Sequence, residues 1–595
     1  MSNTEQEFKK QQPLNRSDIQ GNVLRAYGKY GYPFARYFFF NIATDVQVDE
    51  EKRRAARNFV ESVRHEVTTA SPWPKVEGDN GKTVTVGPKS TMNIAFTFFG
   101  LLKLGLPYRT IQGFPYEFTE GMRARAHILG DRDQTITGKL AEEREWDKNW
   151  DEIWRNNRRN NSLDNSVDIW VSVNAQLNPN TMEPVSQLQE MTQKLQSWAD
   201  DSGCMRMLSG HGDGVKEPYQ EANAVFEKYQ NGEKSEIFSP SPKEHFGFTD
   251  GIGDPVFEGQ FPDARMEKKV IGRGKLMPRE KGGKPEWLPL ATGEFLLGHP
   301  DESQELPPTS VPIDFMRNGT FMAYRKLHQN VKSFHNVVEE EAKSYAKIMD
   351  IEVLEAIETL YAKMCGRWRD GVPLSVVPTY DEWVEFGVKN NLHPEDKNAL
   401  DTVENLTAQI DYIRSPEASN FRFGDDSMGF KCPVGAHLRR VNTRDYLSPR
   451  NKFGIDQRGE QYENPKANAA LNKRRRILRR GLPYGKPMAD NVTDDTQQGV
   501  IMLIMGASIS RQFEFVQQQW IQYGLDFNQG NNTCPLLGDH DLHKRFTITS
   551  DPKSGKPPYV MSKLKSFVEC RGGDYFFIPS MSALRMIATG TVDPT

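Results

Sequence analysis

The sequence predicts an α+β fold in two units, and three observations carry that expectation. The chain has 595 residues, more than one hydrophobic core usually organises. Aromatic and β-branched runs of strand length alternate with helical stretches in both halves. Between them, residues 206–300 are rich in glycine and proline with little periodicity, which reads as long functional loops. The expected division is a polar leader over 1–18, an N-terminal unit over 19–310 and a C-terminal unit over 311–595.

Each element has its own signal. Phe34-Ala35-Arg36-Tyr37-Phe38-Phe39-Phe40 has the aromatic density of a buried strand. Asn93–Phe98 reads as a second strand, followed by a short helix that Pro107 stops. Val167–Val173 is a third strand, with a helix over roughly 184–199 after a Pro/Asn-rich turn. In the second half, a strand at Thr320–Tyr324 leads into helices near 331–348 and 352–367. A strand at Val500–Ile504 precedes a helix near 509–523, and Tyr575–Ile578 is the last strand. No short-period repeat is present.

Charge is nearly balanced, 76 Lys+Arg against 80 Asp+Glu, without the long single-sign run of a nucleic-acid arm or acidic tail. Nucleic-acid binding is therefore disfavoured. No window approaches the roughly eighteen apolar residues of a membrane span. The N-terminal residues lack the apolar core of a secretory signal, so the expected location is cytoplasmic. Five scattered cysteines, without CxxC spacing, read as reduced thiols rather than a disulfide frame, a zinc knuckle or an iron–sulfur cluster.

Three segments carry candidate chemistry. In Phe246-Gly247-Phe248-Thr249-Asp250-Gly251-Ile252-Gly253-Asp254-Pro255 one acid stands between glycines and apolar residues. Burial there would raise the carboxyl pKa and suit a proton shuttle; an Asp-Gly turn capping its own loop is the bland alternative. Most of the eleven histidines, His65, His211, His335 and His393 among them, have polar neighbours and read as surface residues. His437 differs, because Cys432-Pro433-Val434-Gly435-Ala436 places small and apolar residues before it, so a flat ligand can approach. Imidazole is the usual axial ligand of peroxidase iron, and a satisfied core histidine is the competing reading. His540 and His543 find no further metal ligands and read as surface residues. In the basic stretch Arg474–Arg480, Ile477 and Leu478 lead to Arg479 ahead of a Gly/Pro turn, a setting that can turn one guanidinium inward; the other arginines read as a solvated face.

Taken together and in this order, these segments resemble the dye-decolorizing peroxidase family over most of the chain. Its GxxDG signature is matched by Gly247-Phe248-Thr249-Asp250-Gly251, its proximal segment by Cys432–His437 and its distal arginine segment by Ile477–Gly485. Further similar blocks are Glu120–Arg125 with Leu129-Gly130-Asp131, Phe321–Leu327, Gln512–Gln517 and Arg571–Pro579. Length and these blocks are similar to the larger, insertion-bearing subgroup. The resemblance implies a dimeric α+β barrel type of fold: two ferredoxin-like units, each a four-stranded antiparallel sheet with peripheral helices, the second holding most of one haem b.

By position, the resemblance implies Asp250 as distal acid–base, Arg479 as distal arginine and His437 as iron ligand. It also implies Arg444 on a haem propionate and Ile252, Phe248 and Met502 along the haem. Two departures stand out. Val500 and Met502 replace a Leu-x-Phe pair common in relatives, and Cys534 stands before Pro535-Leu536 where relatives often carry the carboxylate that holds the proximal imidazole. Asp539 and Asp541 are the expected substitutes.

The implied activity is reduction of hydrogen peroxide with oxidation of dyes, phenols or other aromatic one-electron donors, by a monomer or homo-oligomer. Two rivals remain: a haem-binding or haem-handling, deferrochelatase-like protein on the same scaffold, and a related α+β-barrel haem enzyme acting on a small oxyanion. Neither needs Asp250 and Arg479 together.

Overall fold

A computed structural model describes residues 13–77, 83–131, 147–159, 162–232, 235–278, 285–307, 309–394, 399–447, 469, 471–485, 493–540 and 543–592. Four strands of the first half are β1 (Phe34–Ile42), β2 (Ser90–Phe96), β3 (Ile169–Ala175) and β4 (Met205–Met207). Those of the second half are β5 (Thr320–Gln329), β6 (Leu478–Arg480), β7 (Gly499–Gly506) and β8 (Val568–Ile578). The two sets repeat one arrangement. In the first, the order is β4-β1-β3-β2; in the second it is β8-β5-β7-β6. The first strand of each unit is thus flanked by the third and fourth, with the second outside the third, and every pair is antiparallel. This is the expected pair of ferredoxin-like sheets. A single pairing, Phe577 with Phe96, joins β8 to β2, so both units share one ten-stranded sheet.

Period-two burial separates the two faces of these strands. In β1, Phe38, Phe40 and Ile42 face the helices α1 (Glu50–Glu66) and α2 (Gln187–Ser202). Helix α1 starts on Asp49, whose carboxylate accepts the N–H groups of Glu51 and Lys52, and buries Ala56, Phe59, Val60 and Val63 at helical spacing. The alternate residues Tyr37 and Phe39 point the other way, into a core shared with Met322, Tyr324, Leu478, Ile501, Leu503 and Met505 of the second unit. Rings of the two units meet there edge to face, Phe39 and Tyr324 with centroids 5.1 Å apart.

In the second unit, α3 (Val331–Met349) and α4 (Val353–Cys365) build a separate core with Phe246 and Phe248. Helix α4 ends at Gly366, whose φ of 99° is left-handed. Two helices absent from the sequence reading, α5 (Tyr380–Lys389) and α6 (Val403–Arg414), follow it. Both open on a threonine capping box, Thr379 with Glu382 and Thr402 with Asn405, a signal legible in sequence. The expected helix near 509–523 is present but wound with π geometry over Ile509–Glu514 and Val516–Ile521.

The four additional blocks of family resemblance meet where the units touch. Arg325 donates two hydrogen bonds to Asp131, at 2.6 and 2.7 Å. Arg125 does the same to Glu514, at 2.5 and 2.7 Å. Asp574 accepts from Met122 N at 2.9 Å and pairs with Arg158. The Arg325–Asp131 pair is almost fully buried, and removing one partner of such a pair costs about 3–5 kcal/mol. Asp131→Ala is therefore expected to lower the thermal unfolding midpoint by several degrees in calorimetry, leaving cavity residues in place. No helix among the described residues is long and apolar enough to cross a membrane.

Candidate active site

The loop carrying Asp250 is shaped by glycines that take left-handed backbone: Gly247 at φ 89° and Gly251 at φ 75°. Glu244 anchors it from behind, accepting the N–H groups of Phe246 and Phe248 at 3.0 Å each and a hydrogen bond from Gln329. Burial pushes the Glu244 carboxyl up to about 7. The Asp250 carboxylate accepts from Arg479 Nη1 at 3.0 Å and from Gly251 N–H at 2.5 Å. The burial expected from its apolar neighbours is absent: its side chain is 43 % exposed and opens into a cavity that it lines.

Strand β6 explains why Arg479 alone among its neighbours joins Asp250. Leu478 lies in the core between the units, Arg479 projects from the opposite face into the cavity, and Arg480 turns back. Arg480 donates to the carbonyls of Asn22 and Val23 at 2.7 and 2.8 Å. The paired strand β7 alternates in step, burying Ile501, Leu503 and Met505 and leaving Val500 and Met502 on the cavity. The expectation of a solvated basic face is wrong here, because Arg476 and Arg480 are both buried. His211 is likewise not a surface residue: it is buried against Phe39 with Nε2 on the Leu208 carbonyl at 3.0 Å.

His437 enters the same cavity as the first residue of a short helix, α7 (His437–Val441). The small residues before it allow tight packing; a Cβ on Gly435 would stand 2.9 Å from the Phe546 ring. Burial first, then the Arg479 guanidinium, hold the imidazole down to about 4, so the ring is neutral at pH 7 as a metal ligand must be. Its Nδ1 lies 3.3 Å from Cys534 Sγ, which leaves Nε2 for the cavity. Cys534 itself thus stands where a substitute carboxylate was expected. Asp539 is exposed, with its backbone N–H on Gln522, and Asp541 falls outside the described residues. All five cysteines are free thiols. Among the described residues no group of three His, Cys, Asp or Glu could hold a metal ion by itself.

Ile252 and Phe248 also line the cavity. Arg444 is not among the lining residues; burial first, then the nearby Arg476 and Arg367 guanidiniums, depress its pKa. These last two line the cavity and were missed from sequence, where Arg367 reads as an ordinary residue after a helix C-terminus. All three are buried and donate to backbone carbonyls. Arg367 Nη1 bonds Gly371 and Ala418 at 2.7 Å each, and Arg476 bonds Gly274 at 3.2 Å. Arg444 Nη1 bonds Ser419 and Phe421 at 2.9 and 3.0 Å, while its Nε has no partner. Asp254 pairs with Arg480 at 3.4 Å and Asp445 with Arg422 at 3.0 Å, while each also attracts one of the three guanidiniums, Asp254 that of Arg476 and Asp445 that of Arg444.

Three buried guanidiniums with carbonyl partners are costly unless an anion joins them. Burial pushes Arg367 and Arg476 down to about 10. Arg444 adds a left-handed φ of 50°, rare outside glycine and most often tolerated at ligand sites. A neutral imidazole, apolar walls and a nest of cations fit a flat metal-bearing macrocycle with two carboxylates.

Fold and cavity together define an α+β-barrel protein whose cavity lining fits such a group. Residues 18–194 match the sequence model of the DyP dimeric alpha+beta barrel domain. Dye-decolorizing peroxidase msp1 of Mycetinis scorodonius is 25% identical over 58% of this chain and 56% of its own, so that match spans about half of the relative. Peroxidase 2 of Mycetinis scorodonius is 24% identical over 96% of this chain and 87% of its own. The solved structure of a dye-decolorizing peroxidase variant from Pleurotus ostreatus superposes with a TM-score of 0.63 at 19% identity, covering 97% of this chain and 99% of that one. Residues 18–194 thus carry the DyP dimeric alpha+beta barrel domain, and the chain is similar to dye-decolorizing peroxidases along most of its length.

Proposed function

We propose that the protein is a haem b peroxidase that reduces hydrogen peroxide and oxidises dyes, phenols or other one-electron donors. The observation that carries the proposal is the Asp250–Arg479 pair, 3.0 Å apart, in the cavity that His437 enters. Haem iron, when bound, supplies the site at which peroxide is activated and its two oxidising equivalents are held. His437 Nε2 would hold the iron, and Arg367, Arg476 and Arg444 would balance the propionates.

The chain's own residues then have separate tasks. Asp250 accepts the proton of the inner peroxide oxygen and returns it to the outer one, which leaves as water. Arg479 stabilises negative charge on the peroxide and, being permanently charged, exchanges no proton itself. Phe248, Ile252, Val500 and Met502 keep bulk water from the reacting atoms. Simple carriage of a porphyrin needs neither Asp250 nor Arg479, which is why catalysis is favoured over haem handling.

The test is spectroscopic. Purified holoprotein is expected to show a Soret band that shifts within milliseconds on one equivalent of hydrogen peroxide and returns when a phenolic donor is added. A Soret band that peroxide leaves unmoved would support carriage instead. Replacing both Arg367 and Arg476 by methionine is expected to weaken haem retention at least ~10-fold, an effect of the size lost with charge-assisted hydrogen bonds. Haem transfer to apomyoglobin measures it.

A further inference from the structure

Cys534 opens the tight turn Cys534–Gly538. It is fully buried, its N–H donates to the Ile521 carbonyl at 3.0 Å, and its own carbonyl accepts from Gly538 N–H at 3.0 Å. A side-chain acceptor at the head of such a turn ordinarily caps the amides that follow. Here Sγ fills that place, accepting from Leu537 N–H at 3.5 Å. The same sulfur lies 3.3 Å from His437 Nδ1, across 97 residues of chain. One atom therefore meets two partners, the cap amide and the imidazole.

We infer that Cys534 is the positioning residue of the proximal imidazole: its sulfur receives the Nδ1–H of His437, aims Nε2 into the cavity, and sets a weak rather than a strong pull on that proton. The inference rests on the haem reading proposed above. A carboxylate at this position would offer two oxygens, one for each donor, with short charge-assisted bonds. Sulfur offers a single, larger and softer acceptor at longer range. Acceptors on the far nitrogen of a ligating histidine raise the basicity of the near one and so tune the metal. With sulfur there, His437 carries less imidazolate character, the ferric state is stabilised less, and the ferrous state is reached more easily than with a carboxylate.

The experiment uses the holoprotein and compares wild type with C534A, C534S and C534D. Two quantities are read: the ferric/ferrous midpoint potential by spectroelectrochemical titration, and the iron–imidazole stretching frequency of the ferrous protein by resonance Raman. C534D is expected to shift the reduction equilibrium at least tenfold toward ferric, 59 mV for one electron, and to raise the stretching frequency. C534A is expected to move both quantities the opposite way, with C534S between wild type and C534D. If C534A leaves potential and frequency at wild-type values, the inference is overturned. Should the buried carboxylate prevent folding, C534A and C534S decide the matter alone. A wild-type protein that takes up no haem overturns the peroxidase reading as well, whereas normal haem uptake with unmoved spectra sinks only the role of Cys534.

Discussion

His437→Ala is expected to leave the fold intact and to remove the peroxidase. The side chain is the one imidazole lining the cavity among the described residues, and its neighbours Cys432–Ala436 and Arg439–Arg440 are buried and anchored independently of the ring. Arg440, for example, is tied to the carbonyls of Val434, Trp520 and Asn532. Truncation thus opens an imidazole-sized hole without loosening helix α7. The variant should lose its characteristic Soret position and fall to the turnover of free haem, and millimolar imidazole should restore part of the signal. Full activity without added imidazole would show that another residue ligates the iron. Circular dichroism is expected to be unchanged.

Asp250→Asn is expected to retain haem and lose peroxide activation. The amide keeps the size of the carboxylate but cannot accept the peroxide proton. General acid–base groups contribute ~10²–10⁴-fold, or about 3–5 kcal/mol of barrier at 1.36 kcal/mol per tenfold. Stopped-flow spectra should show the second-order reaction with peroxide slowed by that factor, with the resting Soret band unaltered. Arg479→Leu should fall in the range ~10²–10³ expected for removing one charge-stabilising donor. Because the two side chains are hydrogen-bonded to one another, the double variant should be slowed by less than the product of the single effects. Wild-type rates in both single variants would refute the assignment.

How much of this was legible beforehand differs by residue. The strand Phe34–Ile42 announces itself because five of the seven residues Phe34–Phe40 are aromatic, whereas β6 is three residues long inside an arginine run and has no local signature. Its alternation exists only because β7 pairs with it. Asp250, Arg479 and His437 were each weak alone and gained weight from their common order, which is information about a family rather than about local physics. Arg367 and Arg476 stayed hidden for a different reason. Sequence marks arginine as a surface residue, and only three such groups meeting in one buried place reveal a demand for an anion. Cys534 was visible as a departure, but its partner lies far away in the chain, so the contact itself required the fold.

The behaviour of Arg480 extends the meaning of the short strand β6. Three successive side chains of that strand report to three different regions: the inter-unit core, the cavity and the carbonyls of Asn22 and Val23. The N-terminal segment is thereby a splint on the strand that carries Arg479. A substitution in that buried segment is expected to disturb Arg479 from outside the cavity, seen as a slower reaction with peroxide in stopped-flow spectra.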